Sequence, residues 1–266
     1  RRSDPHSGAD PNRGRDPLDV SAWKVPLFLG AGVVAGFLNT VAGGGSFVAF
    51  PLLVLFGYPA HVANGTLRIT IVLQNLVAVP AYAREGYFFP KQSLVCSLAA
   101  VPAAVLGALT AVHLDPESFR LVSAVLVLLV LGTLFLHPDR WTRSDPLARI
   151  HWARAMPLFA AVGFYGGFFQ LGVGMPFLAV AVLAGGWDLV SANSLKVTVI
   201  LLFTVASLAV FATHDHVAWV PGLLLGVGSM VGAWIGARSA VTHGPGWIRW
   251  IMIAIGTVAA VRLFAG

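Results

Sequence analysis

Charged residues are scarce in this chain, and acidic residues are the scarcer kind. Only 11% of the 266 residues are charged, with 11 Asp or Glu against 17 Lys or Arg. A soluble domain carries about 25% charged residues, so this chain cannot cover its surface with polar groups. Because 57% of its residues are hydrophobic and its mean hydropathy is +0.81, the sequence predicts a protein that lies in the lipid bilayer.

Cysteines and metal-ligand patterns are also lacking. The single cysteine, Cys96, lies in an apolar run, which excludes a disulfide within the chain and a cysteine-based metal site. The eight histidines lie at segment ends or in the N-terminal tail and have no metal-ligand spacing. No nucleophile–base pair, phosphate-binding loop or dinucleotide fingerprint is present, so the sequence predicts neither an enzyme nor a cofactor. Of the 17 Lys and Arg, five lie before residue 25 and four between residues 140 and 154, which favours a membrane orientation signal over a nucleic-acid partner as the reason for the net charge of +6.

Eight apolar segments are candidates to cross the hydrocarbon layer, which takes about 20 residues. Two of them, 25–57 and 154–186, are each 33 residues long and are interrupted by glycines and a proline. We expect each of these two to contain a helix, a glycine break and a short second helix. The other six segments are 62–83, 92–113, 119–137, 189–212, 218–240 and 247–265.

The segments form two similar halves. "ANGTLRI" from Ala63 is similar to "ANSLKV" from Ala192, and "GFLNTVAGGGSF" from Gly36 is similar to "GFYGGFFQLGVG" from Gly163, at offsets of 129 and 127 residues. The sequence thus predicts an all-α polytopic membrane protein with about eight transmembrane helices in two duplicated four-helix halves. Its predicted parts are a disordered polar tail at 1–22, a first membrane repeat at 23–137, a cytoplasmic connector at 138–153 and a second membrane repeat at 154–266.

The distribution of Lys and Arg predicts the orientation, because cytoplasmic loops carry an excess of both. The segments 84–91 and 138–153 are basic, whereas 58–61 and 114–118 contain no Lys or Arg. Counting each 33-residue segment as one crossing places both basic segments and both termini in the cytoplasm. This even count makes the two halves parallel; an extra crossing at each glycine break would invert them.

Arg68 and Lys196 are the only charged residues clearly inside the predicted spans, and every Asp and Glu lies elsewhere. Carboxylates at membrane depth are the usual cation ligands and proton relays, so their absence argues against a cation transporter. Positive charge without a counter-ion suits an anionic substrate. The alternative is that each long side chain reaches the lipid headgroups from near a helix end. Because a cation follows an "AN" pair in both halves, we favour the binding site.

The glycine breaks favour the same site. A broken helix leaves backbone N–H groups unpaired, and the start of the next helix can hold an anion. Close helix packing is the alternative, and it better explains Gly228, Gly232 and Gly236. For the nearby Asn and Gln side chains three roles are open: they bind the substrate, they cap helices, or they form hydrogen bonds between helices. The predicted substrate-binding residues are Arg68, Lys196, Asn39, Gly43, Gly44, Gly45, Ser46, Asn64, Thr66, Gln74, Asn75, Gln170, Gly172, Gly174, Asn193 and Ser194.

Four motifs resemble the TauE/SafE group of sulfite exporters: "GFLNTVAGGGSFVAFPLLVLFG", "ANGTLRITIVLQNLVAV", "GFYGGFFQLGVGMPFL" and "ANSLKVTVILLFTVASLAVF". The resemblance covers about residues 25–265. It implies a bacterial inner-membrane permease with a duplicated helical core, associated with sulfite, sulfonates and related sulfur-containing anions. The second repeat reads "QLGVG" where the first has a triple glycine, which leaves open whether both halves bind the anion equally.

The sequence therefore predicts a secondary transporter that exports a small anion such as sulfite or a sulfonate. Its partners would be this anion and the lipid bilayer, and a homodimer is left open. It would be a multi-pass protein of the bacterial inner membrane with both termini in the cytoplasm. An anion channel of the same fold is the alternative, and a membrane-embedded enzyme is a less favoured one.

Overall fold

The structure, a computed structural model, describes residues 23–115, 117–119, 122 and 152–265. The predicted tail at 1–22, almost all of the segment 119–137 and most of the connector 138–153 lie outside the described residues. The described part of the chain is helical and contains no strand, so the all-α prediction is confirmed there.

Eight helices are described. The first four are α1 (Lys24–Ala42), α2 (Ser46–Leu55), α3 (Ala60–Arg84) and α4 (Pro90–His113). The others are α5 (Trp152–Phe168), α6 (Gly174–Ala179), which continues as the π-helical stretch Val180–Ala184, α7 (Leu189–Thr213) and α8 (Trp219–Ala265). A non-helical residue, Gly244, divides α8 with φ 73° and ψ −172°.

Five of these helices are long and apolar enough to cross a membrane: α1, α3, α4, α7 and the part Trp219–Ile248 of α8. The helices α2, α5 and α6 are apolar but shorter. The prediction of a polytopic helical membrane protein is thus confirmed, whereas the count of eight crossings is not.

The helices α1 and α2 form a hairpin whose turn is the glycine run Gly43–Gly45. Gly43 has φ 75°, the left-handed conformation with which glycine commonly ends a helix. The ring centroids of Phe28 and Phe56 lie 5.2 Å apart, and those of Trp23 and Phe56 lie 5.9 Å apart. The end of α2 therefore lies beside the start of α1, and the chain reverses its direction at the break.

The second long segment reverses in the same way. Gly172 has φ 68°, and the rings of Phe159 on α5 and Phe177 on α6 lie 5.2 Å apart. Both 33-residue segments contain a helix, a break and a short second helix, as predicted. The prediction that each segment makes a single crossing is not confirmed, because each short helix packs back along the helix before it.

The helices α3 and α7 run in opposite directions. His61, near the start of α3, has its ring centroid 4.7 Å from that of His216, which follows the end of α7. At the other end of the pair, Ser194 Oγ, near the start of α7, donates to the carbonyl oxygen of Tyr87, which follows α3, at 2.6 Å. Corresponding helices of the two predicted halves therefore have opposite directions.

The reversal at the first break also changes where the N-terminal end of α1 lies. Trp23 contacts Phe56, close to the start of α3, whereas Arg84 ends α3 about 37 Å further along its axis. The sequence predicted the N-terminus and the loop 84–91 on the same side of the membrane. The structure places residue 23 and that loop at opposite ends of the helix bundle.

Small residues bring the long helices into backbone contact. A Cβ atom on Gly32 or Gly36 of α1 would overlap the carbonyl oxygen of a facing residue on α8. Gly228 and Gly232 of α8 lie equally close to the backbone of α1, and Gly236 lies near Phe37. The packing role predicted for these three glycines is confirmed.

Candidate functional site

Every residue of the predicted substrate site is buried. Arg68 is 0% exposed and Lys196 is 2% exposed. Both charged groups form hydrogen bonds inside the protein, so neither side chain extends to the lipid headgroups. The two cations therefore belong to the interior of the helix bundle.

Arg68 caps the C-terminal end of α5. Its Nη1 donates to the carbonyl oxygen of Gly166 at 3.1 Å, and its Nη2 donates to that of Gly167. One turn earlier on α3, Asn64 Nδ2 donates to the carbonyl oxygen of Phe168 at 2.9 Å. The last carbonyls of a helix have no partner within it and form the negative end of its dipole. Arg68 and Asn64 satisfy these carbonyls from another helix.

Lys196 caps α1 in a similar way. Its Nζ donates to the carbonyl oxygens of Asn39 at 2.8 Å and Thr40 at 3.1 Å, and to Asn193 Oδ1 at 2.5 Å. The amide of Asn193 donates in turn to the carbonyl oxygen of Val41 at 2.8 Å. An ammonium group has three hydrogens, so all the donors of Lys196 have acceptors.

The two caps are reciprocal. Residues 39–41, capped from α7, correspond to residues 166–168, capped from α3, at the offset of 127 that relates the two glycine motifs. Asn64 likewise corresponds to Asn193 at the offset of 129. Each predicted half thus supplies an amide and a cation to the broken helix of the other half.

The surroundings of Arg68 contain additional polar side chains. Its two Nη1 hydrogens are shared among Gly166 O, Gln170 Oε1 at 3.0 Å and Ser207 Oγ at 2.7 Å, and Gln170 Nε2 donates to Thr204 Oγ1 at 3.4 Å. These four side chains are 0% exposed. The Nε atom of Arg68 is buried and has no hydrogen-bond partner. Arg68 thus retains a donor that Lys196 lacks.

The sequence-based prediction missed Thr204 and Ser207, although a signal for them exists. They follow Lys196 on α7 by eight and eleven residues. At 3.6 residues per turn, this spacing places all three near one face of the helix. The repetition of polar residues on one face of an apolar helix therefore indicates that Thr204 and Ser207 face the protein interior with Lys196.

The two glycine breaks meet at the centre of the bundle. A Cβ atom added to Gly43 would lie 2.5 Å from the backbone of Gly174, so only glycine fits at this crossing. Ser46 Oγ accepts a hydrogen bond from the backbone N–H of Gly172 at 2.7 Å, and Gly45 packs against the backbone of α1. The predicted glycine residues are therefore brought together.

Other predicted site residues lie away from the breaks. Thr66 Oγ1 accepts from the backbone N–H of Ala218, and Ser194 contacts the α3–α4 loop at the opposite end of the bundle. Gln74 and Asn75 are buried on α3, six and seven residues after Arg68. Thr66 and Ser194 thus form hydrogen bonds to the connecting loops, which explains why these polar residues are buried.

Within the described residues, the buried charged side chains are Arg68 and Lys196, and no Asp or Glu is buried. No group of three His, Cys, Asp or Glu that could hold a metal ion occurs in that part of the chain. A helix end carries about half an elementary negative charge, so each cap offsets only part of one cation. The centre of the bundle is therefore net positive.

Comparisons with known proteins identify the family of this chain. The family model described as "Sulfite exporter TauE/SafE" matches residues 28–263. "Probable membrane transporter protein ORF9" of Sinorhizobium sp is 28% identical over 252 residues, covering 93% of this chain and 95% of that protein. "Probable membrane transporter protein YfcA" of Escherichia coli K12 is 25% identical over 244 residues, covering 90% of each chain. No solved structure matches the chain.

A third relative, named "Probable membrane transporter protein", comes from Haemophilus influenzae. It is 24% identical over 247 residues, which cover 92% of this chain and 96% of that protein. The names of these relatives denote transporters and not enzymes. Because the family model spans most of the sequence, the chain belongs to the TauE/SafE sulfite exporter family of membrane transporters.

Proposed function

We propose that this protein is a secondary transporter that exports a small sulfur-containing oxyanion, such as sulfite or a sulfonate, across the bacterial inner membrane. The observation that carries the proposal is the burial of Arg68 and Lys196 beside the two glycine breaks, with no buried carboxylate among the described residues. Charged residues at membrane depth are costly and usually serve transport. A net-positive interior favours an anion over a cation.

The substrate would lie near the point where the two breaks meet. Arg68 and Lys196 would supply positive charge to this region, and backbone amides of the glycine tracts at 43–46 and 172–174 would add hydrogen-bond donors, except those of Gly43 and Gly172, which already donate to Asn39 O and Ser46 Oγ. The contact between Gly43 and Gly174 supports this placement, because it brings the two tracts to one point in the bundle.

The proposed transport mechanism uses duplicated and inverted halves. The reciprocal caps and the opposite directions of α3 and α7 support this arrangement. Inverted repeats let a transporter open to either side by rocking one half against the other around a central site. The described interior holds no buried carboxylate. If transport is coupled to protons, the coupled proton would therefore not be carried by a carboxylate among the described residues.

The orientation follows from the basic loops. Arg84 and Lys91 place the loop 84–91 in the cytoplasm. The start of α5 lies at the same end, because Gly163 and Gly167 of α5 pack in register against Ala100 and Ala104 of α4. The connector 138–153 would therefore be cytoplasmic as predicted. Trp23, at the opposite end, would face the outside, which replaces the predicted cytoplasmic N-terminus.

Anion flux into proteoliposomes tests this function. The assay compares sulfite, sulfate, thiosulfate and a small sulfonate, using the wild type, Arg68→Gln and the exposed control Lys91→Gln. We expect saturable flux of at least one sulfur anion, lost in Arg68→Gln and retained in Lys91→Gln. Absence of flux for every anion with folded wild-type protein would refute the proposal. Unitary currents would identify the alternative, an anion channel, and light scattering would show whether the protein is a homodimer.

A further inference from the structure

We infer that the anion binds at one break only, in the cluster formed by Arg68, Gln170, Thr204 and Ser207, which we call the arginine cluster. Lys196 instead positions the first break. This inference rests on the proposed transport function and names the side chains that would contact the substrate, among them two on α7, Thr204 and Ser207.

Arg68 has a free hydrogen-bond donor, whereas Lys196 has none. The three acceptors around Lys196 Nζ occupy all of its hydrogens, so binding an anion would require breaking the cap on α1. Arg68 Nε has no partner although it is buried. The Nε–H of a guanidinium lies on the same edge as one Nη hydrogen, and this edge fits two oxygens of an oxyanion. Arg68 can therefore bind an anion and still cap α5.

Polar side chains that can donate hydrogen bonds to an oxyanion surround the Arg68 guanidinium. Ser207 Oγ accepts from Arg68 and donates to the carbonyl oxygen of Phe203 at 2.9 Å, and hydroxyl groups can rotate towards a new acceptor. The hydrogen bond between Gln170 Nε2 and Thr204 Oγ1 is long, at 3.4 Å, so its loss costs little. Gln170 and Ser207 contact Nη1, whereas the Nε edge is shared with Nη2, so their amide and hydroxyl groups would turn towards an oxyanion bound at that edge. The cluster contains no carboxylate. This set suits a small oxyanion with three or four oxygens.

The side chains around Arg68 have no polar counterparts in the other half. At the offset of 127 residues, the counterpart of Gln170 is Gly43. At the offset of 128 that relates Arg68 to Lys196, the counterpart of Thr204 is Leu76 and that of Ser207 is Val79. None of these three residues has a polar side chain. The two halves thus form similar helix caps, but only Arg68 is surrounded by this set of polar side chains.

An aromatic ring restricts the orientation of the Arg68 guanidinium. The ring centroid of Phe211 lies 4.2 Å from Arg68 Cζ. A ring stacked on one face leaves the edges of the guanidinium accessible and restricts its rotation. Arg68 is therefore held ready to bind an anion through its Nε edge.

Binding and transport by variants of the whole protein test the inference. We would measure KM and maximal flux in proteoliposomes, and the thermal stabilisation of the detergent-solubilised protein by sulfite, thiosulfate and a small sulfonate. The variants are Ser207→Ala and Thr204→Val. The control is Ser229→Ala, because Ser229 is also 0% exposed and bonded to helix carbonyls, but lies on α8.

We expect Ser207→Ala and Thr204→Val to raise KM about tenfold and to weaken the stabilisation by anions to a similar extent, since hydrogen bonds to charged groups are strong. Ser229→Ala should keep KM within about twofold of the wild type. In a charge-conserving pair, Arg68→Lys should raise KM, because it loses the guanidinium edge. Lys196→Arg should mainly lower the maximal flux and the melting temperature.

Two failures can be told apart. If the wild type transports an anion but both Ser207→Ala and Thr204→Val keep the wild-type KM, the inference is wrong and the proposed function stands. If folded wild type transports no anion, the proposed function itself fails. Should Ser207→Ala not fold, the nearly isosteric Thr204→Val decides.

Discussion

Arg68 and Lys196 each donate hydrogen bonds to carbonyl oxygens at the C-terminal end of a helix. Three carbonyls at the end of α5 receive donors from Arg68 and Asn64, and three at the end of α1 receive them from Lys196 and Asn193. Lipid offers no water to satisfy such carbonyls, so a helix can end inside the bundle only where the protein provides donors. The helix end in turn stabilises the buried cation.

We therefore predict that Lys196→Met destabilises the protein by about 1–3 kcal/mol, because three buried acceptors lose this donor. The carbonyls of Asn39 and Thr40 keep only the Gly43 N–H at 2.9 Å and the Tyr82 hydroxyl at 3.5 Å. The measurement is reversible unfolding in mixed micelles. Lys91→Met, which removes an exposed lysine, is the matched control and should cost less than about 0.5 kcal/mol. Equal stability of the two variants would show that the cap on α1 is dispensable.

A second prediction concerns pH and the loop between α7 and α8. Desolvation lowers the pKa of His216, and the neighbouring charges of His61 and His214 lower it further, while Asp215 opposes them. A histidine whose pKa is lower in the folded state favours folding when it is neutral. This stability is present above about pH 6.5 and is lost as the pH falls towards the lowered pKa.

The melting temperature of the wild type should therefore fall on acidification from about pH 7 to pH 5. His216→Gln should reduce this fall, whereas His243→Gln, which removes an exposed histidine, should not. A fall of the same size in His216→Gln would assign the acid sensitivity to other groups.

The two glycine breaks determine how the helices on either side of them are arranged. Gly43 must adopt φ 75° and must also lie against the backbone of Gly174. The first requirement makes the chain reverse, and the second lets the two hairpins cross. A break with only the first property would bend the chain without bringing the two halves together.

This distinction can be measured with Gly43→Ala and Gly86→Ala. Gly86 has φ 84° but open space where a Cβ would lie, so its substitution reports the backbone strain alone, about 1–2 kcal/mol. Gly43→Ala adds a steric overlap with Gly174, which should cost about 1–3 kcal/mol more and abolish flux. Similar unfolding free energies for the two variants would mean that the crossing tolerates a methyl group.

The described helices bring different loops to the two ends of the bundle. Trp23, His61 and Asp215 belong to one end, and Arg84 and Tyr87 belong to the other. Each hairpin folds back towards the end where it began, so the long helices α3 and α7 can pack in opposite directions. The opposite directions of α3 and α7 therefore follow from two local reversals.

Labelling of intact cells with a membrane-impermeant maleimide tests this topology. In a Cys96→Ala background, we expect Trp23→Cys and Asp215→Cys to react from the same side and Glu85→Cys from the other, since all three positions are exposed. Reaction of Trp23→Cys together with Glu85→Cys would instead support the even number of crossings predicted from the sequence. Labelling of disrupted membranes shows that each thiol is reactive.

The sequence alone determined that the chain lies in a membrane, where its helices break and which two cations lie within apolar segments, because hydropathy, glycine runs and isolated charges are local properties. The burial of those two cations was decided by the tertiary structure. Only the tertiary structure decided that each short helix turns back, since the reversal depends on φ at Gly43 and on the packing of Phe56 against Phe28. It likewise brought Thr204 and Ser207 to Arg68. Contacts between residues more than a hundred positions apart depend on how the helices pack, and no local pattern specifies that packing.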